Sequence, residues 1–153
     1  MEELTIREYE PRYASDFKAL NVAWIEKYFT VEEHDLEQLS NPEEYIISKG
    51  GYILFAVYNG KVVGTCALIK TGEQEYELAK MAVTPQLQGK QLGKKLGMAT
   101  IEKAKNKGAV RVWLESNRIL TPAISLYRKL GFVEIPIDTT PYARADIRME
   151  IVF

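Results

Sequence analysis

The sequence offers little to chemistry built on soft ligands or on a nucleophilic sulfur. Its 153 residues include one cysteine, Cys66, and one histidine, His34. A single cysteine excludes an internal disulfide and a cysteine-rich zinc site. A single histidine excludes any site built on two, and no metal is expected. The formal net charge is −1, so the chain as a whole is not drawn to nucleic acid or to an anionic membrane, and any anion site must come from local clustering. No apolar run approaches the ~20 residues that span a bilayer. The opening Met1-Glu-Glu-Leu-Thr lacks the basic and apolar regions of a signal peptide, so a cytoplasmic location is expected. No linker, repeat or low-complexity stretch divides the chain, and one domain over residues 1–153 is expected.

What the chain does have is a strong alternation of element signals. A short strand is expected at 3–8, then a helix over 12–28 carrying Phe17, Leu20, Val22, Trp24 and Ile25. A shorter helix follows at 31–39, and another from Pro42 to Ser48, with Asn41 as cap and Pro42 at its first position. Tyr52–Tyr58 and Lys61–Ile69 read as strands joined by Asn59-Gly60, a type I′ hairpin signal. A strand over Glu75–Val83, a helix over 90–107 ending at Gly108 and a strand over Val110–Glu115 form one βαβ crossover. Thr121-Pro122 opens a helix as cap and first position, Gly131 closes it, and strands at Phe132–Ile137 and 147–153 finish the chain. The fold class is therefore mixed α/β: a mostly antiparallel sheet of six to seven strands with helices on both faces. Cys66 sits in the apolar run Val62-Val-Gly-Thr-Cys-Ala-Leu-Ile69 and reads as a buried, inert thiol. His34 follows two glutamates and reads as a solvated surface residue.

The informative stretch is Val83-Thr-Pro-Gln-Leu-Gln-Gly-Lys-Gln-Leu-Gly-Lys-Lys-Leu-Gly97. It joins a strand to a helix whose opening turns carry Lys90, Lys94 and Lys95 and no acid. That sign opposes the helix dipole, which favours an anion at its N-terminus by ~0.3–1 kcal/mol. An external anion docked on the free N–H groups would reconcile the two, with Gly89 and Gly93 allowing close approach. The alternative is a set of solvated lysines, with the glycines serving a turn and tight packing. The spacing fits neither a Walker loop nor a dinucleotide fingerprint.

Gln86-Leu-Gln-Gly89-Lys-Gln91 resembles the coenzyme A pyrophosphate loop of the GCN5-related N-acetyltransferases, Gln/Arg-x-x-Gly-x-Gly/Ala. It departs from that pattern at Gln91, where Gly or Ala is usual, and at Gln88, where Arg is common. Glu77-Leu-Ala-Lys-Met-Ala-Val83 resembles the family's fourth strand, and Val110-Arg-Val-Trp-Leu-Glu-Ser-Asn117 resembles its fifth strand and exit. Ala123-Ile-Ser-Leu-Tyr127-Arg-Lys-Leu-Gly131-Phe132 resembles the helix and turn that follow, and Arg144-Ala-Asp-Ile-Arg-Met-Glu150 adds a weaker likeness.

The resemblance implies an acyl-CoA N-acyltransferase fold and transfer of an acetyl group from acetyl-CoA to a small-molecule or peptide amine. It implies direct attack, without metal or covalent enzyme intermediate, and leaves the acceptor open. A non-catalytic acyl-CoA sensing module on the same fold is the alternative; a nucleic-acid-binding domain built on the three lysines is disfavoured by the overall charge. A homodimer through an exposed sheet edge is compatible with the pattern. By resemblance, Met81 and Val83 hold the pantetheine arm and polarise the carbonyl through main-chain groups. Gln88, Gly89, Lys90, Leu92, Gly93 and Lys94 receive the pyrophosphate. Asn117 bonds the pantetheine amide, or else makes an Asx turn. Tyr127 protonates the departing sulfur, or else packs in the core beside Ala123 and Leu130. Glu77, alternating with Ala79, Met81 and Val83, is the candidate base, with Glu75 as fallback. Trp24, Tyr28 and Phe29 are candidates for the acceptor side.

Overall fold

The computed structural model describes residues 4–87 and 91–153. Seven strands form one sheet: β1 (Leu4–Glu8), β2 (Tyr52–Tyr58), β3 (Lys61–Gly72), β4 (Glu75–Val83), β5 (Arg111–Ser116), β6 (Val133–Ile135) and β7 (Ile147–Val152). Their spatial order is β1-β2-β3-β4-β5-β7-β6. Every neighbouring pair is antiparallel except β4 and β5. The helices are α1 (Ala14–Tyr28), α2 (Glu33–Ser40), α3 (Leu92–Asn106) and α4 (Thr121–Leu130).

Strand alternation sends side chains to two separate cores. On β2, Leu54 and Ala56 join the cluster of Leu78, Leu92, Leu96, Val112 and Met149 under α3 and α4, whereas Ile53, Phe55 and Val57 pack with Phe17, Ile25 and Leu39 of α1 and α2. Helices thus cover both faces. Asn59 and Gly60 have φ of 54° and 74°, the pair of positive angles a type I′ turn requires. Gly97 lets α3 approach α4: a Cβ there would lie 2.7 Å from Leu130 Cδ1. Cys66 is fully buried in the first core, where desolvation pushes its thiol up to about 12, so it is inert.

Three local expectations need correction. Residues Glu43–Ile47 form a π-type turn rather than an α-helix, and Asn41 contributes its carbonyl to Tyr45 N instead of a side-chain cap. Thr121 lies inside α4; the cap position is Leu120, an apolar residue buried where the chain leaves the sheet. Alternation along β4 also fails after Ala79. Thr65 pairs with Ala82 and Ala67 with Ala79, so Lys80 and Met81 both face Cys66 in a bulge, and Lys80 has φ of 54°.

Candidate active site

The site begins where the parallel pair opens. Strands β4 and β5 are in register only from Glu75↔Arg111 to Glu77↔Trp113, although β4 continues to Val83 and β5 to Ser116. Beyond Glu77 they diverge, because the bulge turns β4 aside and β5 leads into Asn117. Two cavities lie along this split. An apolar one of about 260 Å³ is bounded by Met81, Val83, Gly93, Pro122 and Leu126, with Tyr28 at its edge. A tighter one of about 90 Å³ is bounded by Asn21, Phe29, Glu77, Lys80, Glu115 and Tyr142. Trp24, Met81, Leu120 and Tyr127 line both and form the junction.

Glu77 lines the polar cavity. Burial raises its carboxyl, the neighbouring Glu115 adds to the rise, and Lys80 and Arg148 oppose it; the balance lies at about 7. Glu75 is excluded from the cavity. It accepts hydrogen bonds from Thr71 Oγ1 at 3.3 Å and Arg111 Nη1 at 3.4 Å near the start of the strand. Tyr127 combines a packing contact with a place beside the cavities. Its ring packs against Phe132 at 6.1 Å, and the residue lies at the junction of the cavities. Desolvation, with a smaller contribution from Cys66, raises its phenol and keeps the proton on. Among the described residues no hydrogen bond occupies its hydroxyl.

The remaining expected residues are placed less uniformly. Gly93 faces the apolar cavity, and Lys94 is exposed at the start of α3. The side chain of Leu92 belongs to the first core, which leaves only its main chain for a ligand. Gln91 occupies the cap position of α3 with φ of 60°, a left-handed conformation that costs a non-glycine residue on the order of 1 kcal/mol. The first turn of α3 contains no acid and no side-chain cap. Gln88, Gly89 and Lys90 lie outside the described residues. Asn117 lines the polar cavity, and its carboxamide bridges loops: Nδ2 donates to Arg144 O at 2.7 Å, and Oδ1 accepts from Ile119 N at 2.9 Å in an Asx turn. His34 is half-exposed, with its ring 5.2 Å from that of Tyr142.

Sequence reasoning missed a buried charge cluster behind the polar wall. Asp35, at the third position of α2, is 0% exposed, and Lys80 is 5% exposed. Asp35 accepts four hydrogen bonds: Glu32 N at 2.9 Å, Lys80 Nζ at 2.7 Å, and Arg144 Nη1 and Nη2 at 2.8 and 2.7 Å. These fill a carboxylate's capacity. Burial alone would raise Asp35, but Arg144 and Lys80 outweigh it and hold the carboxyl at about 2. Lys80 Nζ also donates to Tyr142 Oη at 2.8 Å. Glu115 is occupied separately, accepting from Arg148 Nη2 and Thr140 Oγ1, both at 2.6 Å. No periodicity marks Asp35, which reads as an ordinary acid at a helix start. Tyr142 and Arg144 come from a stretch without regular structure. Lys80 gave the one available signal, a lysine inside a strand whose neighbours are all apolar.

An open sheet split at one parallel pair, with a helix N-terminus beside the split, defines an acyl-CoA-type transferase scaffold. The model of the acetyltransferase (GNAT) family matches residues 15–132, so the chain belongs to that family, whose members are acetyl-CoA-dependent acyltransferases. YjgM of Escherichia coli, an uncharacterized N-acetyltransferase, is 33% identical over 130 residues, spanning 81% of this chain and 75% of that protein. A GNAT-family acetyltransferase from Staphylococcus aureus Mu50 superposes with a TM-score of 0.86 at 22% identity, covering 97% of this chain and 98% of that one. YncA of Salmonella typhimurium, solved with its cofactor acetyl-CoA, gives a TM-score of 0.77 at 20% identity, with 98% and 94% covered. The similarity to solved structures bears on the fold; family membership rests on the sequence match. Among the described residues no helix is long and apolar enough to cross a membrane.

Proposed function

We propose that the chain works as one N-acetyltransferase domain that carries an acetyl group from acetyl-CoA to a primary amine by direct attack. The observation that carries this reading is the meeting of two unlike cavities at a shared wall of Trp24, Met81, Leu120 and Tyr127. The apolar one suits a pantetheine arm and acetyl group, and the polar one suits an amine. The divergence of β4 from β5 beyond Glu77 and the first turn of α3, which carries no side-chain cap, suit an extended ligand ending in phosphates.

Acetyl-CoA supplies the thioester, whose C–S bond breaks as the amine's C–N bond forms. The protein's contribution is positioning and proton transfer. Glu77, with a carboxyl near neutrality, takes the proton that the attacking amine must lose, directly or through water. Main-chain groups at Met81 and Val83 hold the arm and polarise the carbonyl. Tyr127 keeps its proton in the buried junction and gives it to the departing thiolate. Gly93, Lys94 and the main chain of Leu92 contribute to the phosphate site, together with Gln88, Gly89 and Lys90, while Asn117 holds the amide of the arm. Cys66 lies in the core and lines neither cavity, which supports transfer without a covalent enzyme intermediate. The acceptor is a small-molecule or peptide amine.

Thiol release from acetyl-CoA, measured against a panel of polyamines, amino acids, aminoglycosides and peptides, tests the reading. Release dependent on one class of amine is expected. Coenzyme A at ~100 times its dissociation constant should add about 2.7 kcal/mol, a shift of several degrees in melting temperature. No shift at millimolar coenzyme A would overturn the cofactor assignment. A shift without thiol release for any amine would overturn the transferase assignment.

A further inference from the structure

Asp35 touches neither cavity, yet from α2 it joins two segments that line the polar one. Its carboxylate is the common partner of Lys80 on the β4 bulge and Arg144 on the loop before β7. Arg144 also reaches Glu32 Oε2 at 3.2 Å, and Ala143 N donates to Glu32 Oε1 at 3.2 Å, so this loop is tied twice to the start of α2. Lys80 carries the left-handed backbone of the bulge, and Met81, which follows it, stands at the junction of the cavities. A lysine has no intrinsic preference for that conformation. It persists where surroundings over-determine it, and here the surroundings are a buried ammonium held by Asp35 at 2.7 Å and Tyr142 at 2.8 Å. Bulges re-aim the main chain next to them. The position of Met81 in the split therefore depends on a carboxylate in a different helix.

We propose that Asp35 is a positioning residue for acetyl transfer: through Lys80 it locks the β4 bulge and aims the main chain at Met81 toward the thioester carbonyl, and through Arg144 it holds the Tyr142 wall of the amine cavity. The inference rests on the acetyltransferase reading above, but its two limbs are separable. Only the Lys80 limb reaches the acetyl group, although Lys80 also bonds Tyr142; the Arg144 limb acts on the acceptor side alone.

The test uses acetyl-CoA carrying ¹³C at the acetyl carbonyl, bound to the full chain without any amine. In the wild type the bound carbonyl resonance should move downfield of the free thioester, and acetyl-CoA should bind more tightly than coenzyme A. Lys80→Gln should return most of that displacement. It should also lower the preference for acetyl-CoA over coenzyme A by roughly three- to tenfold, as for one lost hydrogen bond. Arg144→Gln should leave the resonance in its wild-type position. Asp35→Asn should behave like Lys80→Gln; if it does not fold, Lys80→Gln, which keeps the Asp35–Arg144 pair, decides the matter. A folded Lys80→Gln protein with the wild-type resonance would overturn the proposal. So would an Arg144→Gln protein displaced as far as Lys80→Gln, because the cluster would then be scaffolding alone, and so would a wild-type carbonyl at the free position. The measurement is independent of turnover, so a displaced carbonyl with no thiol release from any amine would sink the acceptor reading and leave this one standing.

Discussion

The two cavities of this site are built in opposite ways. The apolar one, between β4, α3 and α4, is walled by side chains such as Val83, Pro122 and Leu126. Those elements are held by the first core, in which contact is non-directional and roughly additive. The polar one is held by charges in fixed geometry: Asp35 with Lys80 and Arg144, and Glu115 with Arg148. An apolar wall tolerates changes of shape and loses stability in small steps. A wall of buried charges loses most in one step when the partner shared by several groups is removed, because those groups are left desolvated. The polar cavity, proposed above as the acceptor side, is therefore the brittle one.

Asp35→Asn should be the most damaging change. It strands Lys80 and Arg144 in a buried position, and loss of about 3–5 kcal/mol is expected, roughly 10 °C in melting temperature for a chain of this length. A drop as small as that from breaking an exposed ion pair such as Arg118–Glu134 would show that the polar wall is no more brittle than the surface. The depressed Asp35 carboxyl also sets a direction with acid. Its contribution is complete above the ordinary carboxylate range and should be lost as pH falls from about 4 toward 2.

Glu77 has the opposite sign. Its carboxyl is raised to about 7, so its protonated form is the one the fold favours, and stability should fall as pH rises from about 4.5 through 7. Glu77→Gln should therefore be more stable than the wild type at pH 8, by up to about 3 kcal/mol, and nearly equal to it at pH 4. Thermal unfolding at both pH values checks this. The same variant should lose turnover most at neutral pH and recover part of it in alkali, where the amine sheds its proton unaided. A uniform loss at all pH values would make Glu77 a binding group.

Tyr127→Phe probes the shared wall. The ring contact with Phe132 remains, so the fold should hold, while turnover should fall roughly ten- to hundredfold with acetyl-CoA affinity nearly unchanged. Wild-type turnover would return Tyr127 to a packing role. Gln91→Gly is the smallest expected effect and falls on the apolar side. Relief of a left-handed φ should stabilise the fold by about 0.5–1 kcal/mol and leave coenzyme A affinity equal or better. A tenfold weaker affinity would mean that the Gln91 side chain contacts the ligand.

The sequence by itself determined the order of elements, because period-2 and period-3.6 patterns and the Asn59-Gly60 and Gly131 signals are local. It also determined the family, through motifs lying on either side of a single split in the sheet. That Glu77 and Tyr127 lie beside the split was legible for the same reason: each sits in one of those motifs. The bulge at Lys80 was not legible, since it arises from the mismatch between β3 and β4 and breaks an alternation that looks regular in the chain. Asp35 and Arg144 meet across 109 residues, and neither carries a local mark. Only the tertiary structure decides which buried charges become partners, because the stability of each depends on a counter-charge that the chain supplies from far away.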